Sequence, residues 1–311
     1  MTESKKVLVL DPAHARLFQG LEEMGYEMAF MQDASVSEVM GGLPEAQGLI
    51  LRSRFQVDAD FLANAKELKW IARYGVGLDH IDLELCRSKG IHVFNAKGGN
   101  ANAVGEHVIG LLLNLLRNQS KADREVRKGQ WVRQANRGHE LGSRTLGIIG
   151  FGHTGQALAR LAKSFGTKIL AFDKYVEVDM VGVESASLAE IQHSADLLSF
   201  HVPLTEETHH YFDEDFLGRM KNPFILINAS RGAVVETAAL LRGITSGQIT
   251  AAGLDVLEEE DEDLAGFHMS ESIERLMETG KVIFTSHIGG WTFQSFQQQA
   301  DILLHAIRSL E

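Results

Sequence analysis

LGIIGFGHTGQALARLAKSF, residues 146–165, is the stretch on which the rest of the reading turns. A short apolar run, 146–149, leads directly into Gly150-x-Gly152-x-x-Gly155, and a helical pattern carries on to Phe165. The first glycine permits the tight turn. The second lets the backbone approach a pyrophosphate, and the third allows the helix to pack closely on the strand. The turn, with His153 and Thr154 in it, offers its free amides and the positive end of the helix to an anion. Asp173 ends the next strand candidate, 168–172. A carboxylate there accepts hydrogen bonds from both adenosine ribose hydroxyls and repels a 2′-phosphate, so NAD is favoured over NADP. His153 has a plainer reading as a solvated loop residue.

Outward from this turn the chain alternates short apolar runs with helical patterns. Strand candidates 6–10, 48–51, 70–73 and 92–94 precede it; 168–172, 197–201, 224–228, 251–254 and 282–285 follow. They are apolar on both faces, as strands covered by helices on each side must be. Strands spaced by helix-length segments imply βαβ units, parallel sheets and an α/β fold. At roughly 150 residues per domain, 311 residues make two domains. Between the two series a long helix is expected over 100–128. Its broad apolar face (Val104, Val108, Leu111, Leu112, Leu115, Leu116) suits packing between domains or subunits. A last helix is expected over 292–310.

Composition removes several classes of function. Net charge is −12, with no concentrated basic stripe, so nucleic acid and anionic membrane surfaces are poor partners. The one cysteine, Cys86, makes neither an internal disulfide nor a zinc cluster, and no metal site is expected. The first apolar run breaks at Asp11 and Pro12, too early for a signal peptide. No later apolar run approaches the roughly 18 residues that span a bilayer. These features read as a cytoplasmic protein in a reducing compartment.

Three polar clusters stand where strand candidates end: NASRG (228–232), GLDVL (253–257, followed by the acidic run 258–263) and SHIGG (286–290). An arginine holds a carboxylate and a neighbouring oxygen with its fork of donors. A histidine beside a carboxylate is fixed in one tautomer and passes a proton near neutral pH. A nicotinamide beside them gives or takes hydride.

With these motifs in place, the chain resembles the D-isomer-specific 2-hydroxyacid dehydrogenases, and within them most the D-3-phosphoglycerate dehydrogenases without a regulatory domain. GIIGFGHTG with Asp173, HVPLTEET (201–208), NASRG, AAGLDV (251–256), SHIGG and RYGVGLD (73–79) carry the resemblance in family order. It implies a Rossmann NAD-binding domain over 100–286 and a discontinuous, flavodoxin-like substrate domain of 1–99 and 287–311. It also implies a homodimer. By the same resemblance Arg231 binds the substrate carboxylate and its keto or hydroxyl oxygen, and His287 is the acid–base. The family's glutamate, counted on from Asp255, falls at Glu260 and pairs with His287. The family has proline next, whereas Asp261 follows here, so Glu259 stays open as the partner. Cofactor contacts are implied for Asp255 near the carboxamide, for His201, Pro203 and Thr208 on the adenine or ribose side, and for Ala229 and Gly290. The remaining histidines, His14, His80, His209, His210 and His305 among them, read as surface or core residues.

For the substrate, the amides of Val76 and Gly77 form a carboxylate nest. Arg52, Ser53 and Arg54 follow one strand candidate and Arg73 ends another. Cations beyond a single carboxylate clamp point to a second anionic group on the substrate, such as the phosphate of D-3-phosphoglycerate; ordinary ion pairs are the plainer reading. Trp291 instead fits a pocket narrowed over an apolar 2-keto acid. Glyoxylate, hydroxypyruvate or D-lactate chemistry and a non-catalytic, corepressor-like NAD sensor are the alternatives. Glutamine in place of Glu260 would point to formate.

Overall fold

The computed structural model describes residues 5–261 and 266–310. Two compact units divide them: 5–100 with 291–310, and 101–261 with 266–290. The chain therefore returns to the first unit at Trp291, later than the expected position 287. The cause is local. Ile288 and Gly289 donate their amides to the carboxylate of Asp255, which ties 287–289 to the second unit. Of the acidic run, Glu262 and Asp263 lie outside the described residues.

In the first unit, β1 (Lys5–Val9), β2 (Tyr26–Phe30), β3 (Gly48–Leu51), β4 (Trp70–Arg73) and β5 (His92–Asn95) form one parallel sheet. Its order is β2-β1-β3-β4-β5, that of the flavodoxin-like doubly wound fold. One face is covered by helices Ala15–Glu23 and Phe293–Arg308, whose Leu17, Leu21, Leu303 and Ile307 pack on Val7 and Val9. The other face packs Leu8, Leu49 and Ile71 against Val39, Phe61, Leu62 and the buried Cys86. Truncating a fully buried leucine such as Leu303 to alanine costs about 2–5 kcal/mol.

The second unit holds β6 (Thr145–Ile149), β7 (Lys168–Phe172), β8 (Glu184–Ser185), β9 (Leu197–Phe200), β10 (Phe224–Asn228), β11 (Ile249–Leu254) and β12 (Val282–Phe284). All pairs are parallel, in the order β12-β11-β10-β9-β6-β7-β8. The order runs one way from β6 and the other way from β9, which is the Rossmann topology. The carboxyl ends of all these strands lie along one edge, and the reversal between β6 and β9 leaves its crevice there.

Two expectations need correction. The long helix breaks into Ala101–Leu116 and Gln119–Arg127. Asn118 takes a left-handed conformation (φ 53°), one that asparagine tolerates. The Asn114 side chain, bonded to both the amide and the hydroxyl of Ser120, fixes the break. The apolar face of the first piece belongs to its own unit's core, where Val104, Val108, Leu111 and Leu112 meet Leu146, Ile148 and Leu158. Strand β2 carried no clear sequence signal, because an edge strand with Glu27 and the exposed Phe30 lacks a continuous apolar run. Among the described residues no helix is long and apolar enough to cross a membrane.

Candidate active site

The glycine turn follows β6. Gly150 has φ +93°, and a Cβ on it would stand 2.5 Å from the carbonyl oxygen of His201, across the β6/β9 reversal. A Cβ on Gly155 would meet the Gly150 carbonyl oxygen at 2.1 Å. A Cβ on Gly152, by contrast, would meet nothing within 4 Å. The helix His153–Lys163 starts there with no side chain capping its amides. Open space in front of uncapped helix amides is what a dinucleotide pyrophosphate requires, so these residues fit NAD. His153 is exposed and Thr154 half-buried at this end.

Asp173, just past β7, accepts the Phe151 amide (2.6 Å) with one oxygen and the Tyr175 and Val176 amides (2.8 and 2.9 Å) with the other. It shapes the glycine turn from behind and retains lone-pair capacity for a ribose hydroxyl. The His201 imidazole is buried against Ser199 Oγ at 2.9 Å, and burial pushes its pKa down to about 4. The carbonyl of His201, rather than its ring, borders the turn. The Thr208 hydroxyl donates to the Pro203 carbonyl (2.6 Å) and accepts the Thr205 amide (2.8 Å), so both expected contacts brace their own loop.

At the end of β10, Asn228 is buried and its side chain organises the loop. Its Nδ2 donates to the Arg231 carbonyl (2.9 Å) and its Oδ1 accepts from Ser230 Oγ (2.8 Å). Arg231, half-buried beyond Ala229, donates to the Ser230 carbonyl at 2.8 Å. Along the same edge, His287 follows β12. Glu260 Oε2 lies 3.1 Å from His287 Nδ1, while Glu260 Oε1 accepts the Leu257 amide at 3.0 Å. Glu259 is engaged elsewhere, with Ser270 Oγ (2.7 Å) and Thr237 Oγ1 (3.4 Å). Glu260 is therefore the partner of His287, and the alternative falls.

His287 sits at φ +54°, a left-handed conformation that costs a histidine about 1–2 kcal/mol. Asp255 offsets that cost. Its backbone carbonyl accepts the His287 amide (2.8 Å), and its carboxylate accepts the Ile288 and Gly289 amides (2.9 and 2.7 Å). Hydrogen bonds to a charged group contribute about 1.5–3 kcal/mol each, so the turn is stable as built. Asp255 is thus engaged by its own loop and only 2 % exposed. Gly290 is half-buried at the end of this turn.

In the first unit the candidates lie at the carboxyl ends of β3 and β4. The Arg52 amide donates to Asp11 (2.6 Å), and its guanidinium lies 4.1 Å over the Trp291 ring. Burial lowers the Arg52 pKa, with Asp11 opposing. Ser53 is half-buried beside it. Arg54 leaves the cluster: its guanidinium donates to the carbonyls of Met31 (3.3 Å), Gln32 and Ala34. Arg73 folds over the next turn and donates to the Tyr74 carbonyl at 3.5 Å. The Val76–Gly77 turn is pinned by Asn95 Nδ2 on the Val76 carbonyl (2.6 Å). Its two amides have no acceptor among the described residues.

Sequence reading missed His107, whose Nε2 lies 3.0 Å from Thr285 Oγ1 and 3.2 Å from Asp255 Oδ1. The signal was present: His107 shares a helix face with Val104, Val108 and Leu111, a polar side chain where the period calls for an apolar one. His210, read as a surface or core residue, pairs with Glu258 at 2.6 Å.

Residues 109–289 match the family model for the NAD binding domain of D-isomer specific 2-hydroxyacid dehydrogenases, and 7–178 match the model for their catalytic domain. A hydroxypyruvate reductase of Thermotoga maritima is 36% identical over 286 residues, 92% of this chain and 90% of the other. A D-3-phosphoglycerate dehydrogenase of Methanocaldococcus jannaschii is 34% identical over 98% of this chain, which spans 57% of that longer protein. Among solved structures, a D-lactate dehydrogenase from Aquifex aeolicus, complexed with NAD and lactic acid, superposes with a TM-score of 0.84. It is 28% identical, with 98% of this chain and 95% of that one covered.

Proposed function

The chain belongs to the D-isomer specific 2-hydroxyacid dehydrogenases, NAD-dependent oxidoreductases acting on a CH–OH group, and from that premise we propose roles for its residues and a substrate. The observation that carries the reading is the 3.1 Å pair of Glu260 and His287 on the carboxyl edge of the dinucleotide-binding sheet.

When bound, NAD supplies the hydride acceptor. Arg231 holds the substrate carboxylate and the neighbouring oxygen. With Nδ1 engaged by Glu260, His287 exchanges its proton through Nε2. It takes the hydroxyl proton as the C2–O bond becomes a carbonyl, and returns it in reduction. Glu260 fixes the tautomer and stabilises the imidazolium as it forms, as in other carboxylate–histidine pairs.

For the substrate we propose a three-carbon acid, D-3-phosphoglycerate and its 2-keto form, with Arg52 receiving the phosphate. With Arg54 committed to carbonyl oxygens, Arg52 is the arginine of the LRSR segment that remains for this task. The runner-up is hydroxypyruvate, the same skeleton without phosphate, favoured by the near full-length match to a hydroxypyruvate reductase. The test is NADH oxidation with 3-phosphohydroxypyruvate and with hydroxypyruvate, in the wild type and in Arg52→Gln. The proposal expects the variant to lose kcat/KM for the phosphorylated acid by about tenfold or more while keeping it for the other. Equal losses on both would refute it. Turnover of neither acid, nor of glyoxylate or pyruvate, with NADH still bound would favour a cofactor sensor.

The same reading takes the protein as a cytoplasmic homodimer. The helix Gln119–Arg127 buries no side chain and leads to the exposed Trp131, which offers surface to a second copy. Sedimentation showing only a 34.3 kDa species would contradict it.

A further inference from the structure

The strained turn at His287 is held from behind by Asp255, Thr285 and His107. Thr285 Oγ1 donates to Asp255 Oδ1 at 2.6 Å, so its oxygen is left to accept. His107 Nε2, 3.0 Å from that oxygen and 3.2 Å from Asp255 Oδ1, must then carry the proton. A hydrogen on Nε2 facing two oxygens closes a triangle of side chains from the helix Ala101–Leu116, the end of β12 and the end of β11. The same carboxylate receives the amides of Ile288 and Gly289. Packing leaves no slack: a Cβ on Gly289 would stand 2.8 Å from Asp255 Oδ2 and 3.4 Å from His107 Cδ2. Burial alone would raise the Asp255 pKa. The hydrogen bonds from His107, Thr285 and the Gly289 amide outweigh burial and hold it below the usual carboxylate range.

We propose that His107 is a positioning residue for the acid–base loop, fixing Asp255 through its Nε2 proton so that Asp255 in turn holds His287 in its left-handed conformation. The proposal rests on the reading of His287 as the acid–base, and the experiment separates the two. His107→Leu removes the donor at similar size, His107→Gln returns an N–H, Thr285→Val removes the bridging hydroxyl, and His287→Ala is the reference. Each is assayed with hydroxypyruvate and NADH for kcat and for KM of NADH, and by amide hydrogen exchange at Ile288 and Gly289.

His107→Leu is expected to lower kcat on the order of tenfold to a hundredfold, the scale of a catalytic group misplaced by about 1 Å. KM for NADH should stay within about twofold, and both amides should exchange faster. His107→Gln should restore most of the rate and the protection. An unchanged kcat in His107→Leu overturns the proposal, as does a glutamine variant no better than the leucine one. Exchange needs no substrate, so unchanged protection in His107→Leu overturns it by itself. Should His107→Leu fail to bind NADH, Thr285→Val carries the test: retained NADH binding with lowered kcat supports the proposal, and wild-type kcat overturns it. If His287→Ala keeps its turnover, the acid–base reading falls instead.

Discussion

Two histidine–glutamate pairs hang on one acidic run, and they differ in what surrounds them. His287 meets Glu260 at 3.1 Å, and His210 meets Glu258 at 2.6 Å. Both histidines are left-handed, at φ 54° and 50°. A local view would give them the same chemistry. Their connections separate them. The second oxygen of Glu258 accepts the Thr237 amide at the start of helix Thr237–Ser246, and the His210 amide donates to the Ala233 carbonyl, so that pair staples two loops. His287 instead stands at the end of a parallel strand, on the edge that carries the glycine turn and Arg231. A histidine and a carboxylate in contact are therefore not enough to mark an acid–base. The strand-end address is what carries the proposed acid–base role of His287.

Swapping the roles in mutants is the sharpest way to break this comparison. His287→Ala should lower kcat roughly a thousandfold or more, the scale of a lost general acid–base, and leave NADH affinity nearly intact. His210→Ala should keep kcat within about threefold. Equal losses in steady-state assays would dissolve the distinction.

His201 sharpens it as a histidine with no carboxylate at all. Its folded pKa of about 4 lies below the ordinary 6.5. Between those values the unfolded chain binds a proton that the folded protein refuses, so stability rises with pH across this window. The rise amounts to roughly 3 kcal/mol if the window is fully expressed. Urea unfolding of the wild type and of His201→Asn at pH 4.5 and 7 checks it. The same pH dependence in both would assign the effect to other groups.

Within the acidic run, Glu260→Gln should cost kcat some tens of fold, because the imidazolium loses its ionic partner. Glu259→Gln should leave kcat near wild type. The smallest effect is expected at Glu258. Burial raises its pKa, but the hydrogen bonds from Thr237 and His210 outweigh that and hold it below 4.5. Its stabilisation is thus present above 4.5 and fades as pH falls through the lowered value. Glu258→Gln should lose about 1 kcal/mol at neutral pH, and the difference from wild type should vanish in acid. A deficit independent of pH in thermal melts would rule this account out.

How far the sequence alone reached follows the same division. The glycine turn, Asp173 and the two parallel sheets were legible, because a strand ending in Gly-x-Gly-x-x-Gly before a helix constrains the backbone locally. Glu258, Glu259 and Glu260 were indistinguishable as neighbours in one charged run; only the loop's path sends each to a different partner. The LRSR arginines looked alike for the same reason, yet Arg52 stacks on Trp291 while Arg54 is consumed by the carbonyls of Met31, Gln32 and Ala34. The partners of His107 were hidden by distance in the chain, since Asp255 and Thr285 follow strands far along the sequence. Local pattern reports backbone demands well; it does not report which long-range partner a polar side chain will meet.

Soaking crystals with NADH and oxamate, an unreactive mimic of a 2-keto acid, probes the acid–base assignment most directly. The oxamate keto-type oxygen is expected within about 3 Å of His287 Nε2, with its carboxylate on Arg231. Oxamate bound away from His287, or against a His287 whose Nδ1 has left Glu260, would contradict that assignment.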